Sequence, residues 1–127
     1  MQIDYDPYDP DHPWSLNNVW FNKASDLEDH GMIGKAIRCY RIAARMGHVP
    51  AQNNLATLLD DKVKPSRPKE AVYWYKRAVR TGYATAAWNL AMHYRNLEMP
   101  RWYHHWLQVA ARMGDDDAIE ELRALKK

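Results

Sequence analysis

Phenylalanine is almost missing from this chain: there is one, against six Trp and eight Tyr. The aromatic area is therefore carried by rings with a polar tip, which bury apolar surface and still reach a hydrogen bond. Cysteine is as scarce. The single Cys39 excludes an intrachain disulfide framework and fits a reducing, cytoplasmic setting. No apolar run approaches the length needed to cross a bilayer, and residues 1–11 lack a basic segment leading into an apolar one, so neither a membrane span nor a secretory signal is expected. No stretch reads as a strand, so no Gly-rich phosphate loop follows one.

Lys and Arg are absent from residues 1–13, MQIDYDPYDPDHP, which carry Asp4, Asp6, Asp9, Asp11 and three prolines. The prolines deny a helix and push the residues before them toward extended conformations. This acidic arm reads as a loosely packed segment, or as one that lies along the domain or a partner with Ile3, Tyr5 and Tyr8 as anchors. Its Asp spacing lacks the Gly turn and closing Glu of a calcium loop. Residues 14–127 hold 18 basic against 12 acidic side chains, so a near-neutral total hides an acidic arm on a basic body.

What the body does contain is a repeat, visible through its glycines. KAIRCYRIAARMG, EAVYWYKRAVRTG and RWYHHWLQVAARMG end at Gly47, Gly82 and Gly114. Four residues before each Gly stand Ala43, Ala78 and Ala110; seven before stand Tyr40, Tyr75 and Leu107. Four after stand Ala51, Ala86 and Ala118; eight after stand Leu55, Leu90 and Leu122. The intervals are 35 and 32 residues, a period that means stacked supersecondary units. Between Lys69 and Ala91 the unit is clearest. Ala71, Trp74, Tyr75, Ala78 and Val79 fall on one helical face, Gly82 closes the helix, and Ala86, Ala87, Leu90, Ala91 and Tyr94 restart the period.

Ala51-x3-Leu55-Ala56-x2-Leu59 followed by Glu70-Ala71-x2-Trp74-Tyr75-x2-Ala78-Val79-x2-Gly82-x3-Ala86 resembles a Sel1-like repeat, a relative of the tetratricopeptide repeat. Ala86-x3-Leu90-Ala91-x2-Tyr94 continues into a shorter third copy. Trp20, Ala24, Leu27, Gly31, Ala36, Tyr40 and Ala43 make a first copy closer to a plain tetratricopeptide repeat. The resemblance spans about Val19 to Ala118 and departs from the pattern at Lys23 and Tyr103. It implies an all-α, right-handed solenoid of about three antiparallel helical hairpins with a C-terminal capping helix. The expected boundaries are an arm at 1–13 and a repeat domain at 14–127, with repeats near 15–47, 48–82 and 83–114 and a cap at 115–127.

The local signals agree. Ser15 suits an N-cap for a first helix running to His30; helices follow at Ile33–Met46 and about Pro50–Asp60. DDKVKPSR is the longest break, and Pro68 and Pro100 suit the first turns of the next B helices. A helix over Ala84–Asn96 lies between them. Asp115, Asp116 and Asp117 favour the N-terminus of the last helix, and Lys126 and Lys127 its end. Ala118, Ile119, Leu122 and Leu125 form one narrow stripe with polar faces elsewhere, as a terminal repeat requires. The first helix has no upstream neighbour, which leaves that side open to the arm, a partner or a homodimer.

Few residues suit chemistry. Cys39 lies inside the packed stripe of its helix and reads as a small core residue. His104 and His105 are adjacent and point to different faces, and no carboxylate or Cys joins them or His93 to complete a metal set. Asp60-Asp61 and Glu120-Glu121 read as solvated helix ends. The expectation is therefore no enzymatic activity, no cofactor and no metal. Arg38, Arg41 and Arg45, with Lys35, Lys69, Lys76, Arg77, Arg80, Arg101 and Arg112, could line a basic convex side for nucleic acid with Tyr and Trp nearby. The excess of positive charge is modest for a phosphate binder.

The resemblance instead implies a concave groove lined by the first helix of each hairpin. Its candidate residues are Asn18, Phe21, Asn22, Ser25 and Asp29; Asn53, Asn54, Thr57 and Asp60; and Trp88, Asn89, Met92 and Arg95. Amides around aromatic anchors suit protein recognition. The expected function is binding of a partner protein or peptide in that groove. A bacterial immunity protein that neutralises a cognate toxin one-to-one is the alternative, and nucleic-acid binding a further one.

Overall fold

The computed structural model describes residues 15–126; the acidic arm lies outside them. Seven α-helices and one π-helical turn account for the described chain, and no strand occurs among the described residues. The helices are α1 (Leu16–Asp29), α2 (Ile33–Arg45), α3 (Val49–Thr57), α4 (Pro68–Arg80), α5 (Ala84–Asn96), α6 (Pro100–Arg112) and α7 (Asp116–Leu125). Each packs on the next in sequence, and α3 also reaches α5. Three hairpins, α1–α2, α3–α4 and α5–α6, therefore stack in order, with α7 covering the last. This is nearest-neighbour solenoid topology.

The repeated glycines work as the spacing predicts. His48 N–H reaches Ala43 O at 3.1 Å and Gly47 N–H reaches Ala44 O at 3.0 Å, and the same pair of bonds recurs at Gly82 and Gly114. Gly31, Gly47, Gly82 and Gly114 have φ of 75–93°, the left-handed cap that only glycine adopts without a Cβ penalty. The turn between α5 and α6 makes the same two bonds, Met99 N–H to Tyr94 O and Glu98 N–H to Arg95 O, but with Glu98 at φ 56°.

Small residues set the helix spacing. Ala24, Ala36, Ala43, Ala44, Ala51, Ala56, Ala71, Ala78, Ala86 and Ala91 are fully buried, which lets the backbones approach closely. Tyr40, Leu55, Leu58, Leu59, Leu90 and Leu107 fill the space between them. The core divides into two clusters. The larger runs from α1 to α5; the smaller joins Ala87 and Ala91 of α5 to Leu107 and Ala110 of α6 and Ala118 of α7.

One boundary differs from the sequence reading. The helix expected to run from Pro50 to Asp60 as a single element is α-helical only to Thr57 and widens into a π-helical turn over Leu58–Lys62. Val63 N–H bonds Leu58 O at 3.1 Å, a five-residue step. Leu58 and Leu59, at the start of this turn, are both buried. The two departures from the repeat pattern are absorbed. Lys23 is exposed with its ammonium 5.3 Å from the Trp20 ring, and Tyr103 donates to Glu121 Oε1 at 2.9 Å, tying α6 to α7.

Candidate partner-binding groove

The first helices of the hairpins, α1, α3 and α5, carry a row of polar side chains that bond from one element to the next. The row begins at His48, the N-cap of α3. Ala51 N–H donates to His48 Nδ1 at 3.1 Å, so that nitrogen is an acceptor and the proton sits on Nε2, which donates to Asn18 Oδ1 at 2.9 Å. The Phe21 ring stacks on the imidazole, 4.5 Å between centroids, and meets Tyr40 at 5.7 Å. Burial holds the His48 pKa below its ordinary value.

Two tyrosines on the second helices thread their hydroxyls into the same row. Tyr40 donates to Glu28 Oε1 at 2.8 Å and accepts from Asn54 Nδ2 at 3.4 Å, joining α1, α2 and α3. Tyr75 on α4 lies 2.9 Å from Thr57 Oγ1, which itself donates to Asn53 O at 3.1 Å. Burial first, and for Tyr40 the Glu28 carboxylate next, pushes both hydroxyls up to about 12. Asn89 Nδ2 donates to Asn53 Oδ1 at 3.0 Å, bridging α5 to α3. Asp60, on the π-helical turn, meets His93 Nδ1 at 3.0 Å.

The expected groove residues therefore separate by what they touch. Asn22, Asp29 and Arg95 are exposed. Asn18, Phe21, Ser25, Asn54, Thr57, Asp60, Asn89, Trp88 and Met92 are half-buried. Asn53 is buried and holds Asn89 in place. Trp88 and Met92 pack against the smaller core cluster, beside α7. Sequence reasoning missed Glu28, Tyr40, His48, Tyr75 and His93 as members of this row. The available signal was the choice of Tyr over Phe at the repeated position seven before Gly47 and Gly82.

The remaining candidates are placed elsewhere. Arg41 makes a bidentate contact with Glu70 at 3.0–3.2 Å, which takes it out of the basic stripe and into a bridge between hairpins. Arg77 lies 5.5 Å from the Trp74 ring and Lys76 5.9 Å from that of Trp106. Cys39 is buried. Among the described residues no three His, Cys, Asp or Glu side chains gather as a metal would need, and no helix is long and apolar enough to cross a membrane.

Stacked helical hairpins with a polar row along their first helices define a helical-repeat solenoid. The chain belongs to the Sel1-like repeat proteins: the Sel1 repeat family matches residues 33–48, 49–83 and 104–115. An F-box protein of Arabidopsis thaliana is 38% identical over 64 residues, which is 50% of this chain and 18% of that protein. A protective antigen of uropathogenic Escherichia coli, whose crystal structure displays an SLR fold, superposes with a TM-score of 0.66 at 28% identity. That match covers 80% of this chain and 24% of the antigen's. The chain thus spans under a quarter of the length of either relative. Folds of this family generally mediate protein–protein interaction and are typically non-catalytic scaffolds.

Proposed function

We propose that this chain is a non-catalytic interaction module that takes up a segment of a partner protein along α1, α3 and α5. The observation that carries the reading is the set of side-chain hydrogen bonds, from His48–Asn18 to Asp60–His93, that tie neighbouring helices together along this face. Its side chains are fixed by one another before any partner arrives, so little conformational freedom remains to be lost on binding. The row mixes amide, hydroxyl and carboxylate groups with the half-exposed Phe21, Trp88 and Met92, which suits the alternating polar and apolar groups of a polypeptide. Exposed Asp29 and Arg95 give the two ends opposite charge and a partner a preferred direction.

The test is capture from a lysate with the wild-type chain beside an Asn22→Arg/Arg95→Glu variant. Both positions are exposed, so the fold survives while the groove is blocked and its charge reversed. A dominant protein held by wild type and lost from the variant supports the reading; equal retention moves the binding site off the groove. Neutralisation of a toxin is a special case of the same surface. It is marked by a one-to-one complex with a single effector, whereas an adaptor exchanges partners.

A further inference from the structure

The outer side of the first hairpin forms a cleft of about 410 Å³. Its apolar lining is Trp20 and Leu27 of α1 with Cys39 and Ile42 of α2, and its rim is Lys23, Lys35 and Arg38. The repeat register says what such a face is for. Twelve residues before the closing glycine stand Lys35 and Glu70; eight before stand Cys39 and Trp74. In the second hairpin these positions turn toward the hairpin upstream. Glu70 receives the guanidinium of Arg41, and the Trp74 indole is nearly buried, its Nε1 donating to Glu70 at 3.2 Å.

In the first hairpin both positions are changed in a definite direction. Lys35 reverses the charge of Glu70, and Cys39 replaces a ring with a small side chain. An occupant of the upstream place must therefore bring carboxylates where Arg41 brings a cation, and rings where Trp74 brings its own. Among the described residues, three cations and no carboxylate line the cleft.

We propose that this cleft is the docking site of residues 1–13 of the same chain. That segment carries Asp4, Asp6, Asp9 and Asp11 with no Lys or Arg, and it carries Tyr5 and Tyr8. The carboxylates meet Lys23, Lys35 and Arg38; a tyrosine ring fills the room over Cys39. The reach is sufficient. The segment leads into the start of α1, and the cleft runs along that helix from Trp20 to Leu27, about 10 Å at the helical rise. Thirteen extended residues span about 40 Å, enough to turn back along the helix. The arm then covers the outer side of the first hairpin, as α7 covers the third.

The test uses the full chain with a nitroxide on a single introduced cysteine, Gln2→Cys in a Cys39→Ala background, and reads amide signals by NMR. The expected result is loss of the peaks of Lys23, Leu27, Lys35, Arg38 and Ile42, with those of α7 kept. Adding Lys35→Glu/Arg38→Glu, both at exposed positions, should restore the lost peaks while signal dispersion shows the fold intact. No selective loss, or loss that survives the charge reversal, overturns the proposal. So does equal loss in a mixture of nitroxide-bearing chains with separate isotope-labelled ones, which would assign the cleft to a second copy.

Discussion

Glu98 sits where four other turns of this molecule place a glycine in the same left-handed cap. Its φ of 56° brings Cβ toward the following carbonyl, at a cost of about 1 kcal/mol for a side chain that is not Gly, Asn or Asp. Glu98→Gly is therefore expected to raise stability by up to about 1 kcal/mol, read as a higher urea midpoint at unchanged m value. A lower midpoint would show that the carboxylate makes a contact worth more than the strain. His48 makes the opposite kind of prediction. Its Nδ1 must stay unprotonated to cap α3, and burial holds its pKa below 6.5. Below about 6.5 the unfolded chain takes up a proton that the folded chain refuses, so the stability His48 confers is full above that pH and is lost as pH falls toward the folded pKa. His48→Asn keeps a capping oxygen without the titration. Urea midpoints measured from neutral to mildly acid pH should fall less in that variant than in wild type; parallel curves would remove His48 from the acid response.

The helices were legible because each signal is local. Period, closing glycine and opening proline all lie within one or two turns of the boundary they set, and α5 and α6 begin where Ala84 and Pro100 indicate. The π-helical turn was not, because Leu55-Ala56-x2-Leu59 reads as uniform helix until α2 and α4 are there to bury Leu58 and Leu59 together. The same limit applies to Arg41. On its own helix it shares a face with Arg38 and Arg45 and reads as solvated charge, whereas its partner Glu70 lies 29 residues away on α4. Both side chains are partly exposed, so the pair belongs with surface bridges: a double-mutant cycle on Arg41→Ala and Glu70→Ala should give a coupling of about 0.5–1 kcal/mol. High salt should reduce that coupling, since screening acts on partly exposed pairs. A coupling near zero would mean that the Trp74 indole, with Arg67 3.9 Å away, holds Glu70 without Arg41. The polar row was legible to the extent that the repeat places faces. Asn18, Asn54 and Thr57 lie on those faces, whereas Tyr40 and Tyr75 reach the row from the other helix of each hairpin, marked only by Tyr standing in place of Phe.

At the scale of the whole molecule the consequence of stacking is that stability is not shared evenly. A solenoid is held by contacts between neighbours, so a fault at one end weakens the adjoining unit first. Here the division of the core makes the boundary definite. Trp88, Met92 and Leu122 pack on the cluster that joins α5, α6 and α7, while Ala24 to Leu90 belong to the cluster that runs from α1 to α5, so α5 alone is shared. Leu122→Asp replaces a half-buried apolar side chain that packs against the Leu107, Ala110 and Ala118 cluster with a carboxylate, losing that packing and desolvating a charge in part. The expected outcome is loss of hydrogen-exchange protection throughout α7 and in the α6 face beneath it, with partial loss in α5. Protection in α2 and α3 should stay at the wild-type level, because Ala36, Tyr40, Ala51 and Leu55 make none of their packing through α7. Equal loss across every helix would mean that the two clusters open as one cooperative unit.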